Sequence, residues 1–146
     1  MGSLKDILTA DDVRRNVIDD CCRLIEDEVR SKRGMSGLAL KAGFKAFKKV
    51  KPGALPMAVD NLLDDFADAV DPYYQDHLES GNSTAVQSFR PRAREIANGL
   101  LAITDRKAQR FERGVVRKTY EKLRPTAVNH TTDAIPGVAR LVDKYA

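Results

Sequence analysis

The sequence predicts an all-α fold: a single-domain irregular bundle of about six to eight short amphipathic helices. Three observations carry this expectation. Apolar residues recur with the helical period along nearly the whole chain. No stretch shows sustained period-two alternation bounded by hairpin turns, which argues against strands. The periodic segments are joined by turns of a few residues, with no internal repeat and no low-complexity linker, as in a bundle rather than a solenoid. A chain of 146 residues suits one domain, 1–146. It is long enough to bury about 70% of its unfolded surface without staples.

Each element follows from local chemistry. Ser3 with Asp6 three residues on resembles a capping box and opens a short helix to about Leu8. Thr9 with Asp12 repeats the signal. Val13, Val17, Cys21, Leu24, Ile25 and Val29 then lie on one stripe of a longer helix that ends between Ser31 and Gly34. Ser36 is the expected cap of a third helix running to about Val50. Its apolar side holds Ala39, Leu40, Gly43, Phe44, Ala46, Phe47 and Val50; its opposite side holds Lys41, Lys45, Lys48 and Lys49. Ala39, Gly43 and Ala46 make a flat strip against which another helix can come close.

Lys51-Pro52-Gly53 stops that helix and Pro56 marks the start of the next. There Val59, Leu62, Leu63, Phe66, Ala67 and Val70 keep the i, i+3, i+4, i+7 rhythm, with Asp60, Asp64, Asp65 and Asp68 mostly opposite. Asp71-Pro72 is the expected end, followed by a short helix containing Tyr73, Tyr74, His77 and Leu78. Residues 80–84 read as a loop. A turn or two over 84–89 precedes Pro91. Ala93, Ile96, Ala97, Leu100, Leu101 and Ile103 mark a further helix that extends toward Phe111. After a break at Gly114, Val115, Val116, Tyr120 and Leu123 mark another, which Arg124-Pro125 is expected to end. Ile135, Val138, Leu141, Val142 and Tyr145 form the last amphipathic segment, interrupted or started near Pro136-Gly137. The expected core is Val17, Cys21, Ile25, Leu40, Phe44, Phe47, Val59, Leu62, Leu63, Phe66, Leu100, Leu101 and Tyr120.

Composition excludes several classes. Hydrophobic residues make up 42% and charged residues 32%, which rules out both gross disorder and a membrane-resident chain. No run approaches the ~20 apolar residues needed to span a bilayer, and a secretory pattern is lacking at the N-terminus. The two cysteines, Cys21 and Cys22, are adjacent and poorly placed to bridge each other, so a reducing, cytoplasmic setting is expected. Charge is segregated. Residues 31–51 carry seven basic groups and no acidic one, and residues 60–79 carry seven acidic groups and no Lys or Arg. Helices joined by a short Pro-Gly turn pack through their apolar sides, so the lysines are expected to be exposed and largely unpaired.

Several stretches together resemble an uncharacterised bacterial protein family catalogued only as a domain of unknown function. They are Asp27-Glu28-Val29, Lys32, Ser36-Gly37 leading to Lys51-Pro52-Gly53, and Ala58-Val59-Asp60 with Leu62-Leu63. Leu100-Leu101-Ala102-Ile103-Thr104-Asp105 and Tyr120-Glu121-Lys122-Leu123-Arg124-Pro125 extend the likeness along nearly the whole chain. The resemblance implies a compact helical domain. It implies no activity, ligand or catalytic residue.

No catalytic, phosphate-loop or dinucleotide fingerprint is present. His77 and His130 lie far apart with no metal-ligand spacing around either, and Cys21-Cys22 lacks the two-residue gap of a redox or zinc motif. No cofactor or metal is therefore expected. The sequence points to a non-enzymatic binding or interaction module. Its sharpest feature is the lysine face Lys41, Lys45, Lys48 and Lys49, suited to an anionic partner, either a protein or an anionic lipid surface. Nucleic acid fits less well despite Arg113, Arg117, Lys118, Lys122 and Arg124, because no aromatic platform is interleaved with the basic residues. A second copy of the chain is a further candidate partner. The alternative is a carrier or sensor of a hydrophobic small molecule or lipid, held in an apolar groove formed by Phe44, Phe47, Val59 and Phe66. That alternative requires a large apolar cavity in place of a filled core.

Overall fold

A computed structural model describes residues 2–110 and 114–146. Among these residues there are seven α-helices, one 3-10 turn and no strand. The irregular all-α bundle read from the sequence is the fold. In α1 (Leu4–Leu8), the Ser3 hydroxyl accepts the Asp6 N–H at 3.1 Å, as the capping pattern predicts. Thr9 does not open the next helix. Its hydroxyl donates back to the Lys5 carbonyl at 2.7 Å, and α2 (Arg14–Ser31) begins without a side-chain cap. Likewise α3 (Gly34–Lys49) starts two residues before Ser36, because Gly34 turns the chain at φ 77° and the helix follows at once. Gly53, at φ 76°, leads into α4 (Ala54–Ser80). A full capping box of Thr84 and Gln87 opens α5 (Ala85–Phe89). The 3-10 turn Arg90–Arg92 carries the chain into α6 (Ala93–Ala108), and α7 (Val115–Tyr145) follows Gly114. The expected extension to Phe111 lies outside the described residues.

Two expected helix ends are absent. α4 continues through Pro72, and α7 continues through both Pro125 and Pro136, giving helices of 27 and 31 residues. A proline inside a helix removes one hydrogen bond and crowds the preceding turn, at about 3 kcal/mol. Here tertiary contacts outweigh that cost: burial on both sides at Pro72 and Pro136, and packing and an ion pair at Pro125. Ala67, Val70 and Tyr74 flank Pro72, and Ile135, Ala139 and Val142 flank Pro136; all six are buried. Around Pro125, Leu123 presses on α3, while Arg124 forks onto Asp105 of α6 at 2.9 and 3.0 Å.

Helices α2, α4, α6 and α7 form a ring in which each packs on two neighbours: α2 on α4, α4 on α6, α6 on α7, and α7 on α2. α3 packs across α7 and also touches α2 and α4; α1 lies on α4, and α5 on α7 and α4. The flat strip of α3 takes the role read from the sequence. A Cβ at Gly43 would stand 2.8 Å from Leu123 Cδ1 and 2.9 Å from Thr119 Cγ2 of α7. The α2–α7 seam is tighter still, with Leu24 Cδ1 2.3 Å from where a Gly137 Cβ would be.

One half of the bundle is solid. Leu4, Phe89, Ile96 and Ile135 are at most 1% exposed and form its centre with Val17, Ala97 and Ala139. The sequence reading included only Val17 of these seven. Several expected core residues are only partly buried: Ile25, Leu40 and Leu62 lie outside that cluster, and Cys21 and Phe66 pack against its edge. Val59, Leu63, Leu100 and Leu101 are buried as expected.

Ion pairs tie the outside of the ring. Arg14 of α2 reaches Asp60 at 2.9 Å and Asp64 at 2.8 Å on α4. Asp20 of α2 meets Lys144 at 2.7 Å and accepts from the Tyr145 hydroxyl at 2.5 Å on α7. Hydrogen bonds from Arg14, Lys144 and Arg124 hold Asp64, Asp20 and Asp105, respectively, below the usual carboxylate range.

Two predictions follow from this layout. Phe89→Ala, in the solid half, should cost about 3–5 kcal/mol by urea denaturation. Phe66→Ala should cost less by at least about 1 kcal/mol, because one side of that ring already lacks packing partners. Lowered carboxylate pKa values contribute stability that is present above the unfolded pKa and lost as pH falls through the folded one. Urea midpoints should therefore hold from neutrality to about pH 5 and fall below about pH 4. Arg14→Met and Arg124→Met should each shrink that acid-side loss.

Candidate ligand-binding cavity

The partly buried residues of the second half face a common space. A cavity of about 410 Å³ lies inside the helix ring, with walls from α2, α4, α6 and α7. Its floor is the top of the solid core: Leu4, Leu8, Val17, Val70 and Val142 belong to both. The walls follow from helical periodicity. On α2, Cys21, Leu24, Ile25, Glu28 and Val29 share the inward stripe, which Lys32 just past its end continues; on α4, Leu55, Ala58, Val59, Leu62, Leu63 and Phe66 do the same. Leu100, Leu101 and Thr104 of α6 and His130, Thr131, Ala134, Val138 and Leu141 of α7 complete the ring, and Leu40 of α3 closes part of one side. The surface is almost entirely hydrocarbon.

Of the four residues expected to form an apolar groove, Val59 and Phe66 are on this wall. Phe44 and Phe47 are half-buried on α3 and are not part of it; Leu40, from the same apolar stripe, is. Phe44 instead receives the Lys48 ammonium over its ring at 4.7 Å. Cys21 lines the cavity, and burial pushes its thiol up to about 12. Burial also raises Cys22. Neither is a ready thiolate at neutral pH.

One patch of the wall is polar, and the sequence reading passed it over. Where the end of α2 meets α7, Lys32 is 8% exposed, and its Nζ donates to Glu28 Oε2 at 3.2 Å and the His130 carbonyl at 3.4 Å. Asp133 Oδ2 lies at 3.5 Å. His130 Nε2 is buried and has no hydrogen-bond partner among the described residues, the one buried side-chain polar atom there of which this is so. A signal for this patch existed. His130, Thr131, Ala134, Val138, Leu141 and Val142 form a continuous helical stripe, but only if Pro125 and Pro136 are read as internal to a helix. His77, by contrast, is paired with Ser88 Oγ at 2.6 Å. No group of three or more His, Cys, Asp or Glu placed to hold a metal ion occurs among the described residues.

The lysine face lies on the outer side of α3. Lys45, Lys48 and Lys49 are exposed and Lys41 is half-buried. Lys48 pairs with Glu26 at 3.2 Å; among the described residues, Lys41, Lys45 and Lys49 meet no carboxylate. The aspartates of α4 do not face them. Asp60 and Asp64 are held by Arg14, Asp65 by Lys107 at 3.4 Å, and Asp68 by Lys5 at 3.9 Å. Leu38, 62% exposed, stands on the same outer face as the lysines, and Met35, 85% exposed, lies at its border near the start of α3. Of the other basic residues, Arg117 pairs with Glu121 and Arg124 with Asp105, while Arg113 lies outside the described residues. No helix of the described residues is long and apolar enough to cross a membrane.

Comparison with curated proteins and with solved structures gives no match. A family model described as a family of unknown function (DUF6918) matches residues 4–146, almost the entire chain. The chain belongs to that family.

Proposed function

We propose that this protein binds a hydrophobic small molecule or lipid chain inside the helix ring, as a carrier or sensor. The observation that carries this reading is the apolar cavity of about 410 Å³. It falls within the range of small-molecule sites, roughly 300–1,000 Å³. It equals the space of about fourteen waters at roughly 30 Å³ each, yet its walls offer water almost no partners. The other half of this bundle is packed, and an apolar occupant would give these walls the contacts they lack.

A second reading concerns α3. Its outer face combines Lys41, Lys45, Lys48 and Lys49 with the projecting side chains of Leu38 and Met35. Such a face suits the surface of an anionic lipid bilayer, where cations meet headgroups and apolar side chains enter the boundary. The finding that favours it is that the α4 aspartates are already engaged by Arg14, Lys107 and Lys5. The same helix supplies Leu40 to the cavity wall, so a membrane contact would lie next to the ligand.

The cavity reading is tested with N-phenyl-1-naphthylamine, an uncharged probe that brightens in apolar sites. The protein should raise its fluorescence saturably. Ala134→Phe, which places a ring in the cavity, should abolish that gain while leaving the thermal midpoint unchanged or higher. Equal binding by the variant would move the probe to another site and sink the reading. For the second, wild type should sediment with phosphatidylglycerol-containing vesicles and less so as salt rises. The Lys41, Lys45, Lys48 and Lys49 to Gln variant should lose that association. Identical sedimentation of the two proteins would make the lysine face a solvated surface only.

A further inference from the structure

We infer that α3 is a movable lid on the cavity, and that the ligand enters and leaves where this helix swings aside. The inference rests on the cavity reading. The cavity is closed below by the solid core and around by the ring of α2, α4, α6 and α7. Each seam of that ring carries a polar tie to a charged group. Arg14 joins α2 to Asp60 and Asp64 of α4, and Lys107 joins α6 to Asp65 of α4. Arg124 and Tyr120 join α7 to Asp105 of α6, and Lys144 and Tyr145 join α7 to Asp20 of α2. Such charge-assisted bonds fix how neighbouring helices sit against each other.

α3 is held differently. It supplies Leu40 to the wall and buries no side chain; Gly37 is its one buried residue. Among the described residues, its polar ties to other helices reduce to Lys48 on Glu26, an exposed pair at 3.2 Å. Its close contact with α7, Gly43 against Leu123 and Thr119, is between hydrocarbon groups, which part without breaking a hydrogen bond. Both ends of the helix have a joint. Gly34 and Gly53 stand at φ 77° and 76°, and a Cβ on either would meet nothing within 4 Å. Beyond each joint the chain is anchored. Before Gly34, Lys32 is buried and donates to Glu28 and to the His130 carbonyl; after Gly53, Ala54 and Leu55 are buried at the start of α4. A rigid helix between two unhindered glycines, each next to an anchored residue, is the arrangement of a hinged flap. Its displacement carries Leu40 off the wall and opens the cavity beside the lysine face.

The experiment ties the lid shut. Cys21→Ala and Cys22→Ser remove the native thiols, and Gly43→Cys with Thr119→Cys places a new pair across α3 and α7. A Cβ at Gly43 would lie 2.9 Å from Thr119 Cγ2, so the two sulfurs come within disulfide reach. Oxidised and reduced forms of this one protein crowd Leu123 alike and differ only in the bond. Loaded with N-phenyl-1-naphthylamine and diluted in a stopped-flow instrument, the reduced form should release the probe at least about tenfold faster than the oxidised form. Equal release by the two forms would overturn the lid while leaving the cavity reading standing. Failure of the probe to bind wild type at all would overturn both. Wild type supplies a second measurement. By hydrogen exchange, the amides of α3 should exchange at least about tenfold faster than those of α4 and α7. Protection of α3 equal to theirs would overturn the lid whether or not the cross-linkable variant folds.

Discussion

The structure depends on α7 remaining a single rod across Pro125 and Pro136. This helix packs on α2, α3, α5 and α6. Against α2 the contact is both steric, Leu24 lying on Gly137, and polar, Lys144 and Tyr145 on Asp20; against α3 it is steric, Thr119 and Leu123 on Gly43. Against α6 it is polar, with Arg124 and Tyr120 both engaging Asp105. Against α5 it is a carboxylate, Asp143 accepting the Ala85 N–H at 2.8 Å. A break at either proline would separate the ends of α7 and uncouple these holds.

The packing around an unbroken α7 also explains why one half of the bundle is solid and the other hollow. Towards its C-terminal end the small α5 fills the space beside it with Phe89, and α1 adds Leu4 and Leu8. Of these, α5 does not line the cavity, and α1 gives it only Leu4 and Leu8 at the floor. Above them the inward residues of the ring meet across the cavity, with Leu40 of α3 added. The solid half supplies the buried area that holds the ring together. The hollow half can then be shaped for a ligand, and the polar patch of Lys32, Glu28 and His130 lies on its wall.

Much of the fold was legible because helical period is local. The inward stripe of α2, the inward stripe of α4 and the flat strip at Gly43 all follow from spacing along a few turns. Three things were not legible in that way. Prolines 72, 125 and 136 carry a local rule that tertiary burial overrides, so two long helices read as four shorter ones. Phe89 was passed over beside Pro91, and Ile96 and Ile135 were placed on helical stripes but not in the expected core. The cavity is the third. Periodicity tells which side chains point inward, but whether they touch depends on the distance between helices, which is fixed by Gly137, Gly43 and the accessory helices. Val59 and Phe66 were thus foreseen at a groove, whereas Phe44 and Phe47 lie off it and Leu40, from the same stripe, reaches the wall.

The segregated charges of the sequence resolve by the same geometry. Helices α3 and α4 are joined at a Pro-Gly turn and touch through apolar residues, so their polar faces diverge and the positive and negative runs do not neutralise each other. The acidic run of α4 is met instead by Arg14, Lys5 and Lys107 from three other helices. Pairs this exposed contribute only about 0–1 kcal/mol each. Their effect is to orient α4 against α2, α1 and α6, not to hold the bundle together. Of the α3 lysines, only Lys48 makes such a tie. The lysine row therefore carries little of the fold's stability, and its replacement leaves the ring and its cavity in place. The outer face of α3 and the inner wall can accordingly be perturbed separately, although one helix supplies residues to both.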